Sequence, residues 1–328
     1  MKKTIFNLMN VLAMSLLVFA SCNKTDDIAP SIASIAVSNP AFSELEDAAI
    51  RGGVAGVLSN PNANDPQGKF TVFAPTNDAF ARLGLNTAAD LNALNKTFLT
   101  STLLYHVSNG ATAGANLTAG GTLSSLLSPT KRFIKRGNDL YVNGSKILAT
   151  DVPASNGTVH AIDKVILASG ADIVQTALAL NKSQVFARPE LTFLVEAVLY
   201  TELAGALSAS AGSPSFTVFA PTDQAFKDLG KILGVALDVP ADIRKLPKET
   251  VKTVLLNHVI NNGGKFTSEI AENTTVQSLG GTPITYGAFN NGILTVKGKN
   301  NATAANMAIP DVQCTNGVVH VIDRVLLP

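Results

Sequence analysis

All four histidines of this 328-residue chain occupy matched places in an internal duplication, and that single fact fixes how the chain can be divided. His106 and His258 each follow two leucines by two positions and precede a valine, in Leu103-Leu104-Tyr105-His106-Val107 and Leu255-Leu256-Asn257-His258-Val259. His160 and His320 lie in near-identical closing segments; Asp151–Leu167 and Asp311–Leu327 align without a gap and share 10 of 17 residues. A second anchor pairs Lys69–Gly84 with Ser215–Gly230 through Phe-Thr-Val-Phe-Ala-Pro-Thr followed by Ala-Phe. Two units of domain size follow, too few to bury the continuous core of a solenoid. The spacing predicts a first domain over 31–168 and a second over 169–328, each complete in its own elements, with an accessible junction around Ala168–Asp172.

The first 21 residues read as a lipoprotein signal peptide. A basic Lys2-Lys3 start precedes an apolar run from Ile5 to Ala20, shorter than a membrane-spanning helix requires. The run ends in Ala20-Ser21-Cys22, which looks like a bacterial lipobox, so Cys22 is the expected lipid anchor and residues 22–30 a tether. Lys24-Thr25-Asp26-Asp27 resembles the export signal of surface lipoproteins of the Bacteroidota, which places the protein on the outer membrane, facing out. Cleavage leaves 23 basic against 24 acidic side chains, a formal charge of −1. That balance gives no bulk electrostatic case for nucleic acid or anionic lipid. The remaining Cys314 replaces Ala154 of the first copy and reads as a small buried hydrophobe rather than a redox group.

Helices are expected early in each unit and strands late. Phe42, Leu45 and Ala49, matched by Leu191, Leu194 and Val198, recur at helical spacing. Phe70–Phe73 and Phe216–Phe219 read as short buried strands stopped by Pro75 and Pro221, after which Thr76 or Thr222 can cap a helix. Gly137-Asn138-Asp139 and Asn290-Asn291-Gly292 are hairpin signals, and Val159–Leu167 and Val318–Leu327 alternate into closing strands. The fold class is α+β.

The ordered set Thr-Val-Phe-Ala-Pro-Thr-(Asn/Asp)-x-Ala-Phe, a Tyr-His or Asn-His, and Gly-x-Val-His-x-Ile-Asp resembles the fasciclin (FAS1) domain, twice over. The resemblance covers nearly all of residues 31–328. It implies a β-sandwich wedge flanked by helices in each copy and a role in extracellular adhesion or matrix binding without catalysis. One departure is Asn257 where the first copy has Tyr105.

The residues themselves argue the same way. Each copy offers two histidines 54 or 62 positions apart, with no paired metal-ligand spacing and no nucleophile elbow. His106, His160, His258 and His320, with Asp163 and Asp323, are therefore expected to be structural, and no cofactor is expected. An extracellular or surface protein is the expected partner. The alternative is a glycan, captured beside an outer-membrane importer. A chain without tryptophan supports that alternative weakly, with only Tyr141 and Tyr286 near turns where they could stack on sugar.

Overall fold

The computed structural model describes residues 29–92, 94–182, 190–208 and 215–328. The signal segment, Cys22 and most of the tether lie outside them. In the first copy the helices are α1 (Ile32–Ser38), α2 (Ser43–Gly52), α3 (Ala55–Ser59), α4 (Asn77–Ala81), α5 (Ala88–Asn92) and α6 (Lys96–Tyr105). Its strands are β1 (Phe70–Pro75), β2 (Val107–Asn109), β3 (Thr122–Ser124), β4 (Thr130–Arg136), β5 (Asp139–Val142), β6 (Ser145–Ala154) and β7 (Gly157–Ile162). The second copy repeats the plan with helices α7 (Ile173–Lys182), α8 (Thr192–Tyr200), α9 (Ala204–Leu207), α10 (Asp223–Leu233) and α11 (Lys248–Leu256). Its sheet takes in β8 (Leu167–Ala168) from the end of the first copy together with its own β9 (Phe216–Pro221), β10 (Val259–Asn261), β11 (Thr275–Gln277), β12 (Pro283–Asn290), β13 (Ile293–Gly298), β14 (Ala305–Cys314) and β15 (Gly317–Ile322). The α+β expectation of two tandem β-sandwich wedges with flanking helices is borne out.

Both copies run their strands in the same order, β2-β1-β7-β6-β5-β4-β3 and β10-β9-β15-β14-β13-β12-β11. The closing strand pairs parallel with the Phe-Thr-Val-Phe strand in identical register, Phe70 opposite Gly157 and Phe216 opposite Gly317. A Cβ on either glycine would lie 2.3 or 2.1 Å from the Phe70 or Phe216 carbonyl oxygen. Only glycine allows that approach. The motif strand is buried along its whole length because it separates two cores. Phe70, Val72 and Ala74 point to the helix side, where they meet Leu45, Ala49, Leu99 and Leu103. Phe73 points the other way, onto Tyr105, Phe133, Val142 and Ile162. Side chains alternate across a strand, so a strand between two cores must be apolar on both faces. Phe216, Val218, Ala220 and Phe219 divide in the same way in the second copy.

The hairpin expectations hold. Arg136 opposes Asp139 around Gly137-Asn138, and Asn290 opposes Ile293 around Asn291-Gly292. Asn291 and Gly292 both take positive φ, 50° and 80°, the conformation a two-residue hairpin turn needs. Tyr141 and Tyr286 correct the reading that left them open: each is 4 % exposed. Tyr141 packs edge-on to Phe289, and Tyr286 lies 6.1 Å from the Phe219 ring. Neither ring is available for sugar stacking.

One buried group sets the copies apart. Lys131, 0 % exposed, occupies in the first copy the sheet position that Ile284 fills in the second. Its ammonium donates to the Tyr105 carbonyl (3.0 Å) at the C-terminal end of α6 and to Val107 O (3.5 Å). It also lies 5.6 Å from the ring centres of Phe73 and Tyr105. Helix carbonyls and ring faces favour a cation, but no carboxylate offsets its desolvation, which pulls its pKa down from 10.5 to about 7. The unfolded chain then binds the extra proton between about pH 7 and 10.5, so stability contributed by the neutral amine rises with pH across that window and is lost as pH falls towards 7. Denaturant melts of the wild type should show stability gained from pH 7 to pH 9 at up to about 1.4 kcal/mol per unit. Lys131→Met should flatten that slope; an unchanged slope in the variant would assign it to other groups.

Candidate functional site at the motif residues and the domain junction

The duplicated histidines are fully engaged with the backbone. His106 donates Nδ1–H to Thr102 O (2.7 Å), and its Nε2 accepts from Ile166 N (3.0 Å). His258 does the same with Val254 O (2.7 Å) and Leu326 N (2.8 Å). Each thereby ties the end of the helix before it to the segment just after the closing strand. His160 and His320 carry the opposite tautomer. Nδ1 accepts from Asp151 N or Asp311 N (3.2 and 3.1 Å), and Nε2–H donates to Thr112 O or Lys265 O (3.0 and 2.9 Å). A carbonyl can only accept and an N–H can only donate, so the partners fix each ring as neutral. Burial pulls His106 and His258 down to about 3 and about 4, and lowers His160 and His320 as well.

The other motif residues are anchors too. Asp163 accepts from Lys146 N (2.7 Å) and Ser145 Oγ, while Asp323 accepts from Asn306 N (2.8 Å) and its side-chain amide. Pro75 and Pro221 end the motif strands opposite Ile162 and Ile322. Thr222 caps α10 through Ala225 N (3.2 Å), whereas the Thr76 side chain makes no such bond at α4. Two further pairs escaped the sequence reading. Asn77 and Asp223, directly after those threonines, accept from Glu44 N and Phe193 N and so cap α2 and α8 from another segment. Asn156 and Asn316 accept from Ile32 N and Ile173 N and donate to carbonyls at Leu58 and Leu207, holding α1 and α7 on the wedge. Their signal was the recurrence itself: Asn-Gly before the closing strand, and Asn or Asp after the threonine, in both copies. Among the described residues no group of His, Cys, Asp and Glu could hold a metal ion.

The second concentration of polar side chains lies where the copies meet. Leu167 and Ala168 pair parallel with Val312 and Gln313, so the end of the first unit is built into the second unit's sheet. Lys164, 7 % exposed, places its ammonium 2.7 Å from both Asp311 Oδ2 and Gly292 O, with Thr267 Oγ1 at 3.2 Å. Burial, the largest influence, would push the Asp311 carboxyl up; Lys164, His320 and the Thr267 N–H together outweigh it and hold the group below the usual range. The carboxylate packs against Gly144, where a Cβ would fall 1.9 Å from Asp311 Oδ2.

Around this pair, arginines of the first copy reach into the second. Arg132 bonds Gly264 O (2.8 Å) and Glu269 (2.9 Å) and covers the Phe266 ring. Arg136 covers Phe289 at 3.9 Å, and Arg82 holds both oxygens of Asn291. Tyr105 donates its hydroxyl proton to Gln313. A cavity of about 220 Å³ remains beside these contacts, lined by Leu83, Val165, Ile293 and Met307 with Arg82 and Asn143 at its polar end. Its charged groups are already held, Lys164 and Asp311 by each other and Arg82 by Asn291 and Asp163.

Deleting a ring leaves a buried N–H unpaired, so each His→Ala variant should lose about 1–3 kcal/mol in thermal or denaturant melts. The pH dependence carries a sign. Unfolded histidines protonate near 6.5 and folded ones only at about 4 and about 3, so their contribution is complete above pH 6.5 and drains away as pH falls from 6.5 through those values. Stability at pH 5 should be below that at pH 7.5, with a smaller drop in His258→Ala; equal drops would remove this histidine from the explanation.

With that geometry in place, similarity to known proteins can be weighed. The fasciclin domain family model matches residues 40–168 and 189–328. Protein sll1483 of a Synechocystis species is 38 % identical over 142 residues, which span 43 % of this chain and 75 % of that protein. The transforming growth factor-beta-induced protein ig-h3 of Oryctolagus cuniculus is 29 % identical over 269 residues, 80 % of this chain but 35 % of ig-h3. Among solved structures, a FAS1 domain pair from the insect cell adhesion molecule Fasciclin I covers 90 % of this chain and 96 % of its own, at 16 % identity and a TM-score of 0.38. Two family matches spanning most of the sequence, one on each copy, establish that the chain belongs to the fasciclin domain family.

Proposed function

We propose that this protein is a non-catalytic, lipid-anchored cell-surface protein that acts by binding other extracellular or surface proteins, in adhesion or matrix contact. The observation that carries the reading is the fate of the motif side chains. Four histidines and their companion carboxylates, the groups a catalytic site would draw on, are spent in both copies on backbone atoms that hold helices to the sheet. The junction places its charges against each other in the same way. What is left to meet a partner is the outer surface of the two domains. Family membership supports this reading. The glycan alternative loses its aromatic platform with Tyr141 and Tyr286 buried.

Location at the outer membrane rests on Cys22 and the residues after it. Among the described residues no helix is long and apolar enough to cross a membrane. Two or three acyl chains on one cysteine would anchor stably where a single chain is marginal. Cys22→Ala should move the protein from the outer-membrane fraction into the soluble fraction; a variant that stays with the membrane in full would refute the anchor. Pull-down from intact cells with residues 22–328 tests the binding reading, which predicts a surface protein retained on the fragment; recovery of glycan alone would favour the importer-linked alternative.

A further inference from the structure

An apolar groove opens between α1 and α2 of the first copy, walled by Ile32, Ile35, Ala36, Phe42 and Leu45. Its rim carries Val37 and Ile50, each 63 % exposed, and Val57 of the adjoining α3 is 41 % exposed. Contiguous exposed apolar surface of this kind marks a contact site. The only basic residue within these three helices, Arg51, is committed to the carbonyls of Asn92 and Leu94. The face therefore offers no cationic cluster for an acidic partner, and apart from Glu46 the groove lining is apolar, which suits an apolar partner without net negative charge.

Its place in the chain selects which. Ile32, where α1 begins, is ten residues after Cys22, a reach of at most about 35 Å fully extended. Val37 is only five residues further on, within about 10 Å of where the tether joins α1. A lipid held at Cys22 thus keeps this face close to the bilayer. The second copy repeats the groove with Ile173, Leu178, Leu194 and Leu199, but a whole domain separates it from the anchor.

We propose that the α1–α2–α3 face docks on the surface of the bilayer that holds Cys22, seating its rim side chains at the headgroup and acyl boundary. This orients the first domain on the membrane. The proposal rests on the lipid-anchor reading, and its test is built so that the two can fail separately.

The chain has no tryptophan, so one introduced indole reports alone. Val37→Trp and Ile50→Trp place it on the rim; Ile232→Trp, at a position 68 % exposed in α10, is the control. Residues 22–328 of each variant would be coupled through the Cys22 thiol to a maleimide lipid in phosphatidylcholine vesicles, since Cys314 is buried. Brominated acyl chains should remove most of the emission of both rim reporters, in low and high salt alike, and leave the control bright. Rim reporters that stay as bright as the control while coupled, or a control quenched as strongly as they are, would overturn docking by this face. Chemical coupling makes the result independent of acylation in the cell, which Cys22→Ala examines by itself.

Discussion

A single buried ion pair decides how the two copies of this chain relate. Lys164 closes the first domain and Asp311 sits on β14 of the second, and both are nearly shut off from water. In that setting an unpaired charge costs several kcal/mol, so neither residue can leave the other without a comparable loss. The pair is satisfied only in one geometry, with Thr267 and the Gly292 carbonyl completing the shell and Gly144 leaving room for the carboxylate. The outer arginine contacts, more exposed, add registration more than energy. Asp151, the counterpart of Asp311, has the same left-handed backbone and bonds Gly114 N, yet stands exposed. One interface has been made from two similar surfaces, and it is asymmetric.

The duplication explains why the rest of the structure is so economical. Each closing segment performs four tasks within 13 residues. Its first aspartate receives a backbone N–H from a short helical turn, its asparagine holds the first helix, its histidine bridges loop to strand, and its last aspartate pins the strand before it. Such side chains look like chemistry in a sequence because they are polar and recur. Burial and saturation with backbone partners turn them into scaffold. A fold held this way leaves its outer surface free to vary.

Much of this was legible beforehand. The repeat located the motif strand, the hairpins and the closing strand because each depends on local patterns: two-sided apolarity, a turn dipeptide, a glycine where backbones cross. The expectation of structural histidines rested on their apolar neighbours, and the backbone atoms each ring meets lay beyond that pattern. Other features lay beyond local pattern. Lys131 sits in Thr130-Lys131-Arg132, a run with the composition of a solvated edge, and only the three-dimensional meeting of α6 with β4 buries it. Tyr141 and Tyr286 flank turns, as exposed residues do, but their strands put the rings inward. The junction was least legible, because nothing in either repeat says which of its faces will meet the other: Asp311, which pairs across it, and Asp151, which does not, are the same residue in the two copies.

If the Lys164–Asp311 clamp makes one body of two domains, unfolding should be cooperative across both. Differential scanning calorimetry of residues 22–328 puts this most directly to the test. The wild type should give one transition whose calorimetric and van't Hoff enthalpies agree, and Lys164→Met, which leaves Asp311 buried and unpaired, should split it into two resolved transitions. Two independent transitions already present in the wild type, or an unaltered single transition in the variant, would contradict the account.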